Sequence, residues 1–164
     1  MPERMLRAAI PPLPLDALRA KALVLLARRE HSRATLRKRL LPLAESAEAL
    51  ERLLDDLTAR RQLSDARYAR SRLHVRGRRY GDRRLAQELR QDGLDEESIA
   101  AALAEGENEL LRCQGAWGRK FAALPDTMDE RVRQQRFLRN RGFSAPVIRQ
   151  VLHGLIEEDE TGHE

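Results

Sequence analysis

A five-position pattern occurs twice in this chain and confines it to stacked helical units. Leu89, Gly93, Leu94, Ile99 and Leu103 are separated by four, one, five and four residues, and Leu138, Gly142, Phe143, Ile148 and Leu152 repeat those steps. Each member has a physical task. The leucine lies near the end of one helix, and the glycine four residues on can take positive φ and close that helix. The apolar residue after it folds back on the helix, while Asp95 or Ser144 is placed to cap the next one. The last two positions form an i, i+4 apolar pair on that next helix. In the first third, Leu40, Leu50 and Leu54 keep the ten- and four-residue steps, but Ala44 and Glu45 stand where the glycine and the apolar residue would be.

Each of these helix–turn–helix segments follows a further helix, so the expected fold is all-α: a tandem array of three three-helix, helix-turn-helix-like repeats. The expected helices cover 16–30, 33–41 and 46–60, then 64–77, 82–92 and 95–105, then 107–123, 128–140 and 144–156. The expected organisation is a Pro-rich flexible leader (1–14), repeats at 15–61, 62–106 and 107–156, and an acidic tail (157–164). Aromatic residues make up only 4% of the chain, so the core must come from Leu, Ala, Val and Ile. The 35% of charged residues suits thin, surface-rich layers. A unit of about 45 residues buries too little to be safe alone, and stacking on neighbours is the remedy.

The net charge of +5 hides a segregation. Residues 60–90 hold eleven Arg against three acids, 91–111 hold seven acids and no base, and 112–153 turn basic again. Arg67, Arg70, His74 and Arg78 follow steps of three, four and four, which puts them on one helix stripe. Arg79, Arg83 and Arg84 continue the basic run, and the helix at 128–140 adds Arg133, Arg136 and Arg139. These ten residues are the expected binding track for phosphate or acidic protein surface. The bland alternative is a set of solvated arginines paired with the acidic segment next door. The aromatics Tyr68, Tyr80, Trp117, Phe121, Phe137 and Phe143 read as core or turn contacts rather than as a stacking surface.

Nothing reads as a catalytic site, a metal site or a cofactor loop. His31, His74, His153 and His163 are scattered, and no Gly-rich phosphate loop has the required spacing. Cys113 is alone, which rules out an intramolecular disulfide and suits a reducing cytosol. The most apolar run, Ala22–Ala27, is far too short to span a bilayer. A soluble cytoplasmic protein without enzymatic activity or membrane association is expected.

Three stretches resemble the RecX family, the bacterial regulators of the RecA recombinase. They are Ala22–Leu40; Leu63–Ala69 (LSDARYA) with its continuation GDRRLAQELRQDGLDEESIAAAL; and Val132–Leu152 (VRQQRFLRNRGFSAPVIRQVL). The second is similar to the family's Leu-x-Asp-x-Arg-aromatic-Ala signature, at Leu63, Asp65, Arg67, Tyr68 and Ala69. Thr35, where the family often has Glu, removes the capping box, and Ala44 and Glu45 leave the first turn's geometry open. The resemblance implies an elongated, curved array that lies in the groove of the RecA–DNA filament. It implies that filament as partner and, weakly or within it, single- and double-stranded DNA; the chain itself is expected to be a monomer. It also implies that recombinase, ATPase and co-protease activities are mostly dampened. The rival readings are a helix-turn-helix DNA-binding protein that reads bases with the last helix of a unit, and a helical adaptor for another protein.

Overall fold

A computed structural model describes residues 10–154. The leader's first nine residues, the acidic tail and the last two residues of the expected final helix lie outside the described residues. Nine α-helices occur among the described residues: α1 Leu15–Arg28, α2 Arg33–Leu40, α3 Ala47–Ala59, α4 Asp65–Arg76, α5 Asp82–Gln91, α6 Glu96–Glu105, α7 Glu109–Lys120, α8 Met128–Asn140 and α9 Ala145–Leu152. They fall into three triplets, as the repeated pattern predicts. Helices α7 and α9 depart most from their expected spans. Helix α7 starts late because Asn108 caps it by accepting from the Leu110 N–H. Helix α9 stops at Leu152, and Gly154 beyond it takes φ +73°.

The chain divides into two compact units that do not follow the repeat borders. The first holds residues up to Tyr68 together with Asp92–Leu94. Leu18, Ala22 and Leu25 of α1, Leu36 and Leu40 of α2, and Leu50, Leu53, Leu54 and Leu57 of α3 form its core, joined by Leu63. The i, i+3, i+4, i+7 spacing of the α3 leucines gives one continuous apolar face. Each fully buried leucine contributes about 1.5–3 kcal/mol. Ser32 and Ser46 cap α2 and α3 by accepting from the Thr35 and Ala49 N–H groups. The cap of α2 thus survives without the capping-box glutamate.

The turn of the first repeat takes its own form. Leu41–Leu43 make a single 3-10 turn around Pro42, and the Leu13 N–H donates to the Leu43 carbonyl at 2.8 Å. Packing therefore begins at Leu13, inside the stretch expected to be a flexible leader, and Leu13, Leu43 and Ala44 lie against the core.

The turns of the other two repeats share one docking geometry. In the first unit, Gly93 has φ +87°, and a Cβ there would collide with the Ala34 methyl near the start of α2. In the second unit, Gly142 has φ +86°, and a Cβ there would stand 2.5 Å from Arg84 Cβ and 2.8 Å from its backbone nitrogen. Each glycine turn is thus pressed onto the beginning of the second helix of the preceding repeat. Gly81 N–H donates to the Arg141 carbonyl at 2.8 Å, and the Ser32 hydroxyl donates to the Asp92 carbonyl at 2.6 Å. The first repeat's turn meets Leu13 instead of a helix start, and Ala44 and Glu45 stand there.

A carboxylate completes each joint. Asp65 accepts from the Arg33 N–H at 2.7 Å, and Glu109 accepts from the Asp82 N–H at 3.1 Å. In both cases an acid from the first turn of one repeat's first helix satisfies an orphan N–H at the N-terminus of the previous repeat's second helix. Glu109 also accepts from the Ser144 N–H and hydroxyl.

The second unit contains residues 69–91 and the chain from Asp95 onward. Leu85, Leu89 and Ile99 are buried in its middle triplet. Cys113, Ala116, Leu138, Phe143, Ile148, Val151 and Leu152 make the core of the last triplet. Arg112 is buried in this unit with 8% exposure. It donates to the carbonyls of Gly77, Tyr80 and Glu107 and pairs with the Asp82 carboxylate. Burial, and then the Glu109 carboxylate, push the Asp82 carboxyl above its ordinary value against the pull of Arg112.

His31 is buried at 3% exposure in the first unit. Burial, followed by Arg29 and Arg39, lowers its pKa, while a hydrogen bond with the Leu25 backbone and the Glu30 charge act the other way. The unfolded chain therefore takes up a proton near pH 6.5 before the folded one does. Stability from this site is full above that pH and is lost as the pH falls below it. Urea midpoints measured between pH 7.5 and 5.5 should fall for the wild-type chain, and His31→Gln should flatten that trend.

Candidate nucleic-acid interface

The LSDARYA stretch turns out to be joinery. Asp65 caps α2, Tyr68 bonds to Asp92, and Ala69 is fully buried. Arg67 gives its Nε to Glu30 at 2.9 Å and a terminal nitrogen to the Arg61 carbonyl at 2.8 Å. Arg67, first on the expected track, is thus committed inside the first unit.

The other nine expected residues all belong to the second unit. Arg84 is drawn inward, with its guanidinium 4.0 Å from the Tyr80 ring centre and Nε 3.6 Å from Glu88. Glu88 also holds Arg76 through two hydrogen bonds of 2.7 Å and has Arg72 at 3.7 Å. Arg83 and Arg139 are exposed but line none of the depressions described below. Arg70, His74, Arg78, Arg79, Arg133 and Arg136 do line them.

Four adjoining depressions share their walls along this unit. A groove of about 530 Å³ is lined by Leu73, Leu85 and Leu103, by Arg70, His74 and Arg78, and by Glu105 and Glu107. Arg78 also borders a second depression, of about 440 Å³, with Arg79, Tyr80 and Arg119. Arg79 and Arg119 border a third, of about 220 Å³, with Lys120, Phe137 and Arg141. Lys120 and Phe137 border a fourth, of about 510 Å³, with Phe121, Arg133, Arg136 and Asn140. The spaced arginines of α4 and α8 thus meet through residues of α7.

Arg119 and Lys120 stand outside the expected set, and Phe121 and Phe137 outside the expected chemistry. The signals are WGRKF at the end of α7 and RQQRF (133–137) in α8, where basic pairs accompany an aromatic ring. Phe121 and Phe137 are half-buried and meet edge to face with centroids 5.4 Å apart. Arg133 lies 5.7 Å from the Phe121 centroid, and Arg141 and Lys120 lie 5.0 and 5.8 Å from that of Phe137. Tyr68 and Phe143 are core residues, as expected. Trp117 packs on the core and donates from Nε1 to Gln134 at 2.8 Å.

Counter-ions separate a binding track from a solvated surface. Among the described residues, the acidic 91–111 segment forms ion pairs with Arg90, through Glu96, and with Arg70, through Glu105 at 3.7 Å. Among the described residues, no ion pair involves Arg78, Arg79, Arg119, Lys120, Arg133, Arg136 or Arg141. Gathered cations without carboxylates make a positive field that attracts polyanions. Half-exposed rings among them add faces on which bases can stack. Helix α6 carries acids in its first turn, which phosphate repels, and the exposed face of α9 carries Arg149 as its one charge. None of the described helices is long and apolar enough to cross a membrane.

Comparison with known proteins gives the same architecture. Residues 64–103 match the family model for the second three-helix domain of RecX, and residues 107–152 match that for the third. The regulatory protein RecX of Chromobacterium violaceum is 46% identical over 143 residues, covering 87% of this chain and 93% of that protein. That of Ralstonia nicotianae is 43% identical over 147 residues, covering 89% and 92%. The crystal structure of RecX from Lactobacillus salivarius matches with a TM-score of 0.75 at 15% identity, over 85% of this chain and 94% of that one, a likeness of fold alone. With such identity along nearly its whole length, and with both domain matches falling on observed helix triplets, this chain belongs to the RecX family of regulatory proteins.

Proposed function

We propose that this chain regulates the RecA recombinase by laying the cation track of its second unit along the RecA–DNA filament. Its effect is mostly inhibition of recombinase, ATPase and co-protease activity, and it catalyses no reaction itself. The observation that carries this reading is the run of adjoining depressions whose cations lack carboxylate partners among the described residues. The fourth depression, between Lys120 and Arg136, suits phosphates and stacked bases. The first, lined by leucines and by charges of both signs, suits a protein side chain. A filament offers both kinds of surface along one path. Binding must favour one filament state over another, since equal affinity for both shifts nothing. The protein would act as a cytoplasmic monomer in recombination and repair, and DNA alone would bind weakly.

A helix-turn-helix reader of duplex sequence is disfavoured by the acids of α6 and by the single basic residue of α9. The test is RecA-catalysed strand exchange with and without the chain. Slowed exchange with unchanged DNA substrates is expected. Full-rate exchange at saturating protein, or a discrete footprint on duplex DNA without RecA, would count against the proposal.

A further inference from the structure

We propose that residues 157–164 of this same chain are the resting occupant of the fourth depression, where they compete with phosphate for Lys120, Arg133 and Arg136. The inference rests on the reading of that face as a phosphate-binding surface and adds its regulation. The segment reads EEDETGHE and carries five acids and no Lys or Arg. The depression has no carboxylate in its lining, and none of its three cations has an ion pair among the described residues. The two are complementary in sign.

The chain also delivers the segment to the right place. A Cβ on Gly154 would lie 3.5 Å from Leu124 Cδ1, so the end of α9 abuts the connection between α7 and α8. Leu124 is three residues from Phe121, whose ring lines the depression. The Gln134 side-chain amide donates to the Ala123 carbonyl at 3.1 Å and ties that connection to α8 beside Arg133. Ten residues follow Gly154 in the sequence, and an extended segment of that length spans up to about 33 Å. A tether this short holds an acidic ligand near the cations at about millimolar effective concentration. Such a ligand yields to a polyphosphate strand with many contacts but suppresses loose single contacts. The consequence is a track that ignores sparse phosphate and engages an ordered filament.

The test uses the full chain with Glu157→Gln, Glu158→Gln, Asp159→Asn, Glu160→Gln and Glu164→Gln together. A labelled single-stranded oligothymidine is the probe, and backbone amide NMR reports on the depression. The variant should bind the oligonucleotide about 5–30-fold more tightly at low salt, with the gap closing as salt rises. Its amide shifts should differ from the wild type at Lys120, Phe121, Arg133 and Arg136. Equal affinities would overturn the proposal, and so would tighter binding with unmoved amides, which would mean long-range repulsion without docking. Arg133→Glu with Arg136→Glu separates the two levels. If that pair weakens oligonucleotide binding while neutralising the acids changes nothing, the segment's role falls and the phosphate face stands. If the pair has no effect on binding, the face and the segment's role fall together.

Discussion

Replacing Arg112 with alanine should lower the stability of the second unit by about 3–5 kcal/mol, the cost of breaking a buried ion pair from one side. The guanidinium is nearly out of reach of water and donates to three carbonyls and one carboxylate. Its removal leaves Gly77, Tyr80 and Asp82 without that partner, and the carboxyl of Asp82 already has a raised pKa through burial. Lysine cannot substitute, because a single ammonium does not present the fork that meets these acceptors. Denaturant unfolding followed by far-ultraviolet circular dichroism reads the loss. Arg67→Ala is the comparator: its pair with Glu30 is one-third exposed on both sides, so a smaller loss is expected. Equal midpoints for Arg112→Ala and wild type would refute the keystone role.

Gly142→Val should cost about 2–5 kcal/mol, from two separate causes. A β-branched residue is strained at φ +86°, by about 1–2 kcal/mol. The added carbons would also press on Arg84 Cβ and its backbone nitrogen, and overpacking of this kind costs about 1–3 kcal/mol. The backbone nitrogen cannot move aside as a side-chain tip can. Gly118→Ala is the opposite case. It lies in α7 with nothing within 4 Å of the added carbon, so a gain of about 0.5–1 kcal/mol is expected from helix propensity. The pair of variants separates joint glycines from merely helical ones, and parallel melting curves for both would contradict the docking geometry.

Gly142 was legible because its pattern is local: leucine, glycine, apolar residue, cap and apolar pair all fall within fifteen residues. The nine helices among the described residues follow from such local signals, with most ends within two residues of those expected. The joints were not legible. Asp65 meets Arg33 and Glu109 meets Asp82 across 32 and 27 residues of chain, and no helical spacing encodes such partners. Gly93 and Gly142 likewise meet Ala34 and Arg84 across long stretches of chain.

The binding track was legible in part for a related reason. Stripe spacing fixes the face of a helix on which an arginine lies but not which acid claims it. Arg67 goes to Glu30, and Arg84 goes to Tyr80 and Glu88. Arg78, Arg79, Arg133 and Arg136 remain unclaimed among the described residues, and their meeting depends on Arg119 and Lys120 at the end of α7. Those two are separated from α4 and α8 in sequence, so composition shows the charge but not the junction.

Equilibrium binding to RecA filaments on single-stranded DNA, across a range of salt, tests the track most directly. The wild-type chain is compared with Arg133→Glu/Arg136→Glu. The track predicts affinity at least ~10-fold weaker for the variant at low salt, and a log–log salt slope smaller by about one to two, at unchanged helicity. Equal affinity and equal slope, with the fold intact, would contradict it.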